Sequence, residues 1–138
     1  MPTPVFSATL RDGKKITHKD ISKGVWIVSF YASWCGPCRR ELPDLNTFYG
    51  LHKTKGLNTL AIGVDMTESA MRSFIEGLKL DYKVAFDETA VSMGAFGVRG
   101  MATAFVISNG TVLKRLVGIN KIKTDAFKAA ALEALGKK

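Results

Sequence analysis

Cysteine is scarce in this 138-residue chain: Cys35 and Cys38 are the only two. A scaffold of structural disulfides is therefore excluded, and so is a four-cysteine metal site within one chain. Histidine is as rare, with His18 and His52 far apart in sequence and neither paired at ligand spacing. The two cysteines thus lack the partners that a closed tetrahedral zinc site needs. No apolar run exceeds strand length, so no segment reads as a bilayer-spanning helix. The stretch Met1-Pro2-Thr3-Pro4-Val5-Phe6 has neither a basic n-region nor a long apolar h-region, and it is not a signal peptide. Two settings stay open: the cytoplasm, or a periplasmic or extracytoplasmic location from which a signal or anchor has been removed. Acidic residues are in deficit, 12 against 20 Lys and Arg, for a net charge of +8. The lysines are spread along the chain without a nucleic-acid-binding motif. The charge reads as a solubilising surface and no nucleic-acid partner is expected.

What is present describes a globular chain. The length suits one domain covering residues 1–138, and a hydrophobic fraction of 46% with 23% charged residues supplies a core. Val5 to Thr17 reads as a hairpin turning at Asp12-Gly13. His18-Lys19-Asp20-Ile21 reads as a single helical turn ending at Gly24, and Val25 to Ala32 as a strand covered on both faces. Apolar residues Leu42, Leu45, Phe48 and Tyr49 recur at helical spacing after Cys38. Pro43 lies inside that helix, where a kink is expected, and Gly56 closes it. Leu57 to Val64 is the next strand, and strand–helix–strand of this length implies a parallel pair. A helix opened near Thr67 carries Met71, Phe74, Ile75 and Leu78 on one face. Then come a short strand, Tyr82 to Phe86, and a short helix, Thr89 to Phe96. A hairpin follows across Asn109-Gly110, pairing Thr103–Ile107 with Thr111–Val117, and Thr124 to Leu135 forms a last helix. The order predicts an α/β fold with a mixed central sheet flanked by helices, an N-terminal β-hairpin and an inserted αβ unit.

The chemistry concentrates in Trp34-Cys35-Gly36-Pro37-Cys38, at the exit of a strand and the entrance to a helix. Two thiols at this spacing form a redox arrangement. A thiol attacks a disulfide only as thiolate, and unpaired N–H groups at a helix start favour the anion. Cys35 is thereby expected to be the exposed nucleophile. Cys38, one turn further in, is the resolving thiol, and the two would form a redox-active disulfide. Gly36 is expected to permit the tight turn, and Pro37 suits a first helical turn where its missing donor costs little. Trp34 is expected to wall the thiols. A reading from a different class uses the same cysteines to bind a metal, or to bridge two chains through one.

At this point the chain resembles the thioredoxin superfamily, and more closely its TlpA/ResA-like branch of thiol-disulfide oxidoreductases. The resemblance rests on the Asp12-Gly13-Lys14-Lys15 hairpin and on Trp34-Cys35-Gly36-Pro37-Cys38-Arg39-Arg40-Glu41-Leu42-Pro43. It continues through Phe96-Gly97-Val98-Arg99-Gly100 and the hairpin Phe105-Val106-Ile107-Ser108-Asn109-Gly110-Thr111-Val112. The inserted αβ unit around Thr67–Phe86 also fits that branch. The resemblance implies a protein-disulfide reductase that cycles Cys35 and Cys38 without a separate cofactor or resident metal. It implies disulfide-containing protein substrates, an upstream electron-donating reductase that is membrane-bound if the protein is exported, and a monomer. Gly-Pro between the cysteines is similar to thioredoxin, with a potential of about −270 mV, which favours a reductant. In the look-alike reductases a glutamate at the place of Glu41 sits near the thiols and modulates their proton transfer. Ser29 stands where plain thioredoxin has a buried aspartate, which leaves Glu41 as the candidate proton partner.

The departure from the family is Met101-Ala102-Thr103, the segment that would line the substrate groove together with Trp34, Gly36 and Pro37. The family has a proline, preceded by a cis bond, where this chain has Ala102. A cis bond before a non-proline residue costs about 2.5–4 kcal/mol, against about 0.5–1 kcal/mol before proline. The Met101–Ala102 bond is therefore expected to be trans, with the loop displaced and the thiols uncovered.

Overall fold

A computed structural model describes residues 1–32, 34–64, 67–118 and 121–137, with residues 121–123 described in their backbone alone. The centre of the fold is the densest apolar run, Val25–Tyr31 (β3), in which every residue is buried. Alternation along a strand sends successive side chains to opposite faces. Val25, Ile27 and Tyr31 accordingly join one buried cluster, and Trp26, Val28 and Phe30 the other.

Seven strands form the sheet. Ser7–Leu10 (β1) and Lys15–Thr17 (β2) make the N-terminal hairpin, Leu57–Gly63 (β4) and Lys83–Phe86 (β5) follow, and Thr103–Ser108 (β6) and Thr111–Val117 (β7) make the second hairpin. The spatial order is β2-β1-β5-β4-β3-β6-β7. As the connection length requires, β3 and β4 run parallel, whereas β6 lies antiparallel on the other side of β3 with Phe30 opposite Thr103. Cys38–His52 (α1) packs Leu42, Leu45 and Phe48 on the first face, joined by Met71, Phe74 and Ile75 of Glu68–Glu76 (α2) and by Phe127, Ala131 and Ala134 of Lys121–Gly136 (α4). The second face is covered by Phe6, Ile21, Phe96 and Val98 around Val91–Ala95 (α3). The architecture is the mixed α/β sheet flanked by helices that the sequence predicts.

Local differences from the sequence reading have identifiable causes. Residues 18–21 form a hydrogen-bonded turn and no helix. The Asp20 carboxylate accepts from the Thr17 N–H at 2.8 Å, and the Asp20 N–H donates to the Thr17 carbonyl at 3.0 Å. α3 starts at Val91, after Ala90 in the left-handed region at φ 58°, because the Asp87 carboxylate takes the Ser92 N–H at 2.8 Å. As the sequence reading has it, Pro43 lies inside α1.

Candidate active site

β3 delivers the chain to Ala32 at its carboxyl end, and the Cys35 N–H turns back to the Ala32 carbonyl at 3.1 Å. α1 begins at Cys38, with Pro37 as its cap residue in helical conformation. A disulfide joins Cys35 to Cys38, with the Cα atoms 5.4 Å apart. The Cys38 N–H donates both to the Cys35 carbonyl at 3.2 Å and to Sγ of Cys35 at 3.3 Å, so an amide of the first helical turn reaches that sulfur.

Two expectations about this segment are corrected. Cys35 is not exposed: only 3% of its surface is accessible, and it packs with Cys38 and Ala102 in the cluster beneath α1. Burial follows because the disulfide turns Sγ toward the helix amide and away from solvent. Gly36 is exposed, its φ is not positive, and a Cβ there would meet nothing within 4 Å, so this turn does not require glycine. Trp34 stands beside the buried pair with 68% of its surface exposed, an open apolar ring where a covering wall is expected. Pro37 is exposed as well.

The facing loop also departs from expectation. The Met101–Ala102 bond is cis, not trans. The loop is not displaced, because contacts hold it from both ends. Thr103 enters β6 between Phe30 and Val117, its hydroxyl donates to the Gly100 carbonyl at 2.7 Å, and the Ala102 carbonyl accepts from the Gly118 N–H at 2.8 Å. Ala102 is 1% exposed in the cluster that holds both cysteines, so the thiols are not uncovered by the missing ring. Tertiary contacts overrule the local preference of the amide. Met101 is half-buried, and Thr103 is buried.

Glu41 follows Cys38 by three residues, one turn along α1. It does not pair with Arg39, which lies over the Phe74 ring at 4.9 Å. Its Oε2 is buried and finds no hydrogen-bond partner among the described residues. Burial, with the Asp44 carboxylate adding to it, pushes the Glu41 carboxyl up to about 7. That carboxyl lines a cavity of about 330 Å³ between α1, α4 and the sheet, walled by Leu45, Ala104, Leu116 and Phe127. A carboxyl that titrates near neutrality can take or give a proton under ordinary conditions. Nearby, the Tyr82 hydroxyl donates to the Leu42 carbonyl at 3.0 Å, and burial, then Glu41 and Tyr31, push its phenol up, leaving it a neutral donor. Ser29 is buried, and its hydroxyl finds no hydrogen-bond partner among the described residues.

Sequence reasoning missed Asp44 and Lys128. Asp44 was detectable, lying three residues beyond Glu41 on the same helical face. Lys128 was not, since only the packing of α4 brings it to 2.9 Å from the Asp44 carboxylate. Among the described residues, no group of three or more His, Cys, Asp and Glu is placed to hold a metal ion.

A mixed sheet with a cysteine pair at the carboxyl end of its central strand, faced by the loop that enters the neighbouring antiparallel strand, defines a thioredoxin-like protein. The chain belongs to the AhpC/TSA family, which it matches over residues 1–115. It is similar to the thiol-disulfide oxidoreductase ResA of Bacillus cereus, with 36% identity over 117 residues that cover 83% of this chain and 67% of that relative. A solved Chlorobium tepidum protein, assigned as a thiol:disulfide interchange protein DsbE, superposes with a TM-score of 0.90 at 32% identity, covering 97% of this chain and 95% of that one. A Bacteroides thetaiotaomicron protein assigned as a protein disulfide isomerase gives 0.86 at 26% identity, over 98% and 88% of the two chains. The ResA-like resemblance carried by the cysteine decapeptide therefore holds across the fold.

Proposed function

We propose that this protein is a thiol-disulfide oxidoreductase that reduces disulfides in protein substrates through Cys35 and Cys38. In this reading the Cys35 thiolate attacks one sulfur of the substrate disulfide. A mixed disulfide forms and one substrate thiolate leaves. Cys38 then loses its proton toward Glu41 and attacks Sγ of Cys35. The second substrate thiolate leaves, and the Cys35–Cys38 disulfide closes. Two electrons pass to the substrate, and an upstream dithiol reductase returns them. Trp34, Gly36, Pro37, Met101, Ala102 and Thr103 form the surface against which the substrate polypeptide lies. We place the activity outside the cytoplasm, in a monomer, on the resemblance to the ResA branch.

The observation that carries this reading is the hydrogen bond from the Cys38 N–H to Sγ of Cys35. It supports Cys35 as the sulfur whose anion the helix start would stabilise, hence as attacking and leaving group. The test is turnover of a protein disulfide such as those of insulin, with Cys35→Ser and Cys38→Ser variants. Cys35→Ser is expected to abolish reduction, and Cys38→Ser to accumulate a mixed disulfide with the substrate at Cys35. Full turnover by either variant would refute the assignment.

A further inference from the structure

The Asp44–Lys128 pair has no part in the scheme above, yet it lies in the lining of the cavity into which Glu41 faces. Asp44 is one turn beyond Glu41 on α1. Lys128 reaches across from α4, with Nζ 2.9 Å from the Asp44 carboxylate and 5.6 Å from the centre of the Phe48 ring. The Asp44 side chain is more exposed than that of Lys128, so the lysine is the better seated partner. We propose that Lys128 is a positioning residue for Glu41: by neutralising Asp44 across the cavity, it makes the seating of α4 set the pH at which Glu41 exchanges its proton.

The groups around Glu41 leave this pair as the adjustable element. From α1 come Arg40 and Asp44, with Cys38 one turn before. Tyr82, the residue before β5, has its hydroxyl held by the Leu42 carbonyl and is in turn flanked by Tyr31 of β3 and by Arg11. β6 and β7 bring the apolar Ala104 and Leu116, and α4 brings Lys128 as its one charged group in the described lining. Asp44 has a short side chain on a fixed helix, so its carboxylate stays near Glu41 whether or not it is paired. An unpaired carboxylate there disfavours a second negative charge on Glu41, and a cation on Asp44 relieves that repulsion. The two substitutions are thus expected to act in opposite directions. A purely structural role for the ion pair would loosen α4 in both cases and move Glu41 the same way twice.

This inference concerns the proton chemistry of Glu41, and its use in catalysis rests on the reading above. The closing experiment separates the two. In the full-length oxidised protein, the side-chain carboxyl of Glu41 is titrated by carbon-13 NMR and assigned by its disappearance in Glu41→Gln. Asp44→Asn is expected to lower the midpoint by roughly half a unit, Lys128→Met to raise it by a similar amount, and Lys128→Arg to restore the wild-type value. In about 1 M salt, where the screening length falls to about 3 Å, the differences are expected to shrink. Unchanged midpoints, or shifts of one sign in Asp44→Asn and Lys128→Met, overturn the inference. Both side chains are partly solvent-exposed, so the variants are expected to fold, and a retained wild-type NMR fingerprint verifies it. The pH–rate profile of disulfide reduction in Glu41→Gln tests the catalytic reading alone. If it superimposes on wild type, that reading falls while the carboxyl titrations still decide the role of Lys128.

Discussion

The backbone N–H of Cys38 points at Sγ of Cys35 across 3.3 Å, so the two cysteines of the pair are not equivalent. In the reduced protein that amide would favour the anion of one thiol and not the other. Iodoacetamide rates measured against pH in Cys35→Ser and Cys38→Ser should show Cys35 reacting at least about tenfold faster at neutral pH. The reverse order would contradict the assignment of the nucleophile.

Glu41 makes stability fall with rising pH. Its folded-state value of about 7 lies above the ordinary value of 4.5, so between those values the native state holds the proton more tightly than the unfolded chain. The stabilisation is fully present below about pH 4.5 and is lost as pH rises through about 7, an effect on the order of 3 kcal/mol. Urea midpoints of the oxidised protein should decline over this range, and Glu41→Gln should flatten the decline. A parallel curve for the variant would remove Glu41 as its cause.

Asp87 acts with the opposite sign. Burial pulls its carboxyl up, but bonds from the Ser92 and Thr89 hydroxyls and backbone N–H groups outweigh burial and hold it below the usual aspartate value. The charged form is favoured in the native state, so its contribution is present above the unfolded value and is lost as pH falls through the folded one. Asp87→Ala leaves the Ser92 amide and hydroxyl without their acceptor and should cost about 2 kcal/mol near neutrality. It should also blunt the acid limb of the stability curve. Chemical denaturation at pH 3 and pH 7 measures both effects.

Gly63 ends β4 against a closed wall. A Cβ there would lie 2.6 Å from the Tyr31 ring and 2.7 Å from Sδ of Met71, both fully buried, and the Tyr31 ring is stacked on Phe74. Gly63→Ala should destabilise the protein by about 1–3 kcal/mol through overpacking. Gly36→Ala, placed in open space beside the cysteines, should leave the denaturation midpoint within a few tenths of a kcal/mol. Equal losses at the two sites would contradict the packing described.

Much of this site was legible in the residues. The dense apolar run gave β3, because a strand covered on both faces carries apolar residues on both of them. The cysteine spacing located the dithiol, since its chemistry needs two sulfurs one helical turn apart. Glu41 came within reach through helical spacing combined with family resemblance. Two features were misread, the exposure of Cys35 and the geometry of the bond before Ala102, and the Asp44–Lys128 pair was missed. The last two depend on contacts between segments distant in sequence, Gly118 on Ala102 and α4 on α1. The segment 18–21 was read one step too far: its hydrogen bonds close turns and do not continue into a helix.

The hydrogen-bonded register of β3 and β6 fixes how the groove can adapt. Phe30 lies opposite Thr103, so the strand that ends at the dithiol and the strand that begins at the facing loop share one ladder. Sliding them by one residue would turn Ala104 away from the cavity and bring Thr103 or Phe105 in its place, so the loop side is a fixed jaw. Under the proposed function, accommodation of differently shaped substrates would fall to the opposite side, the exposed Trp34 ring and the first turn of α1, whose exposed residues carry little packing to lose.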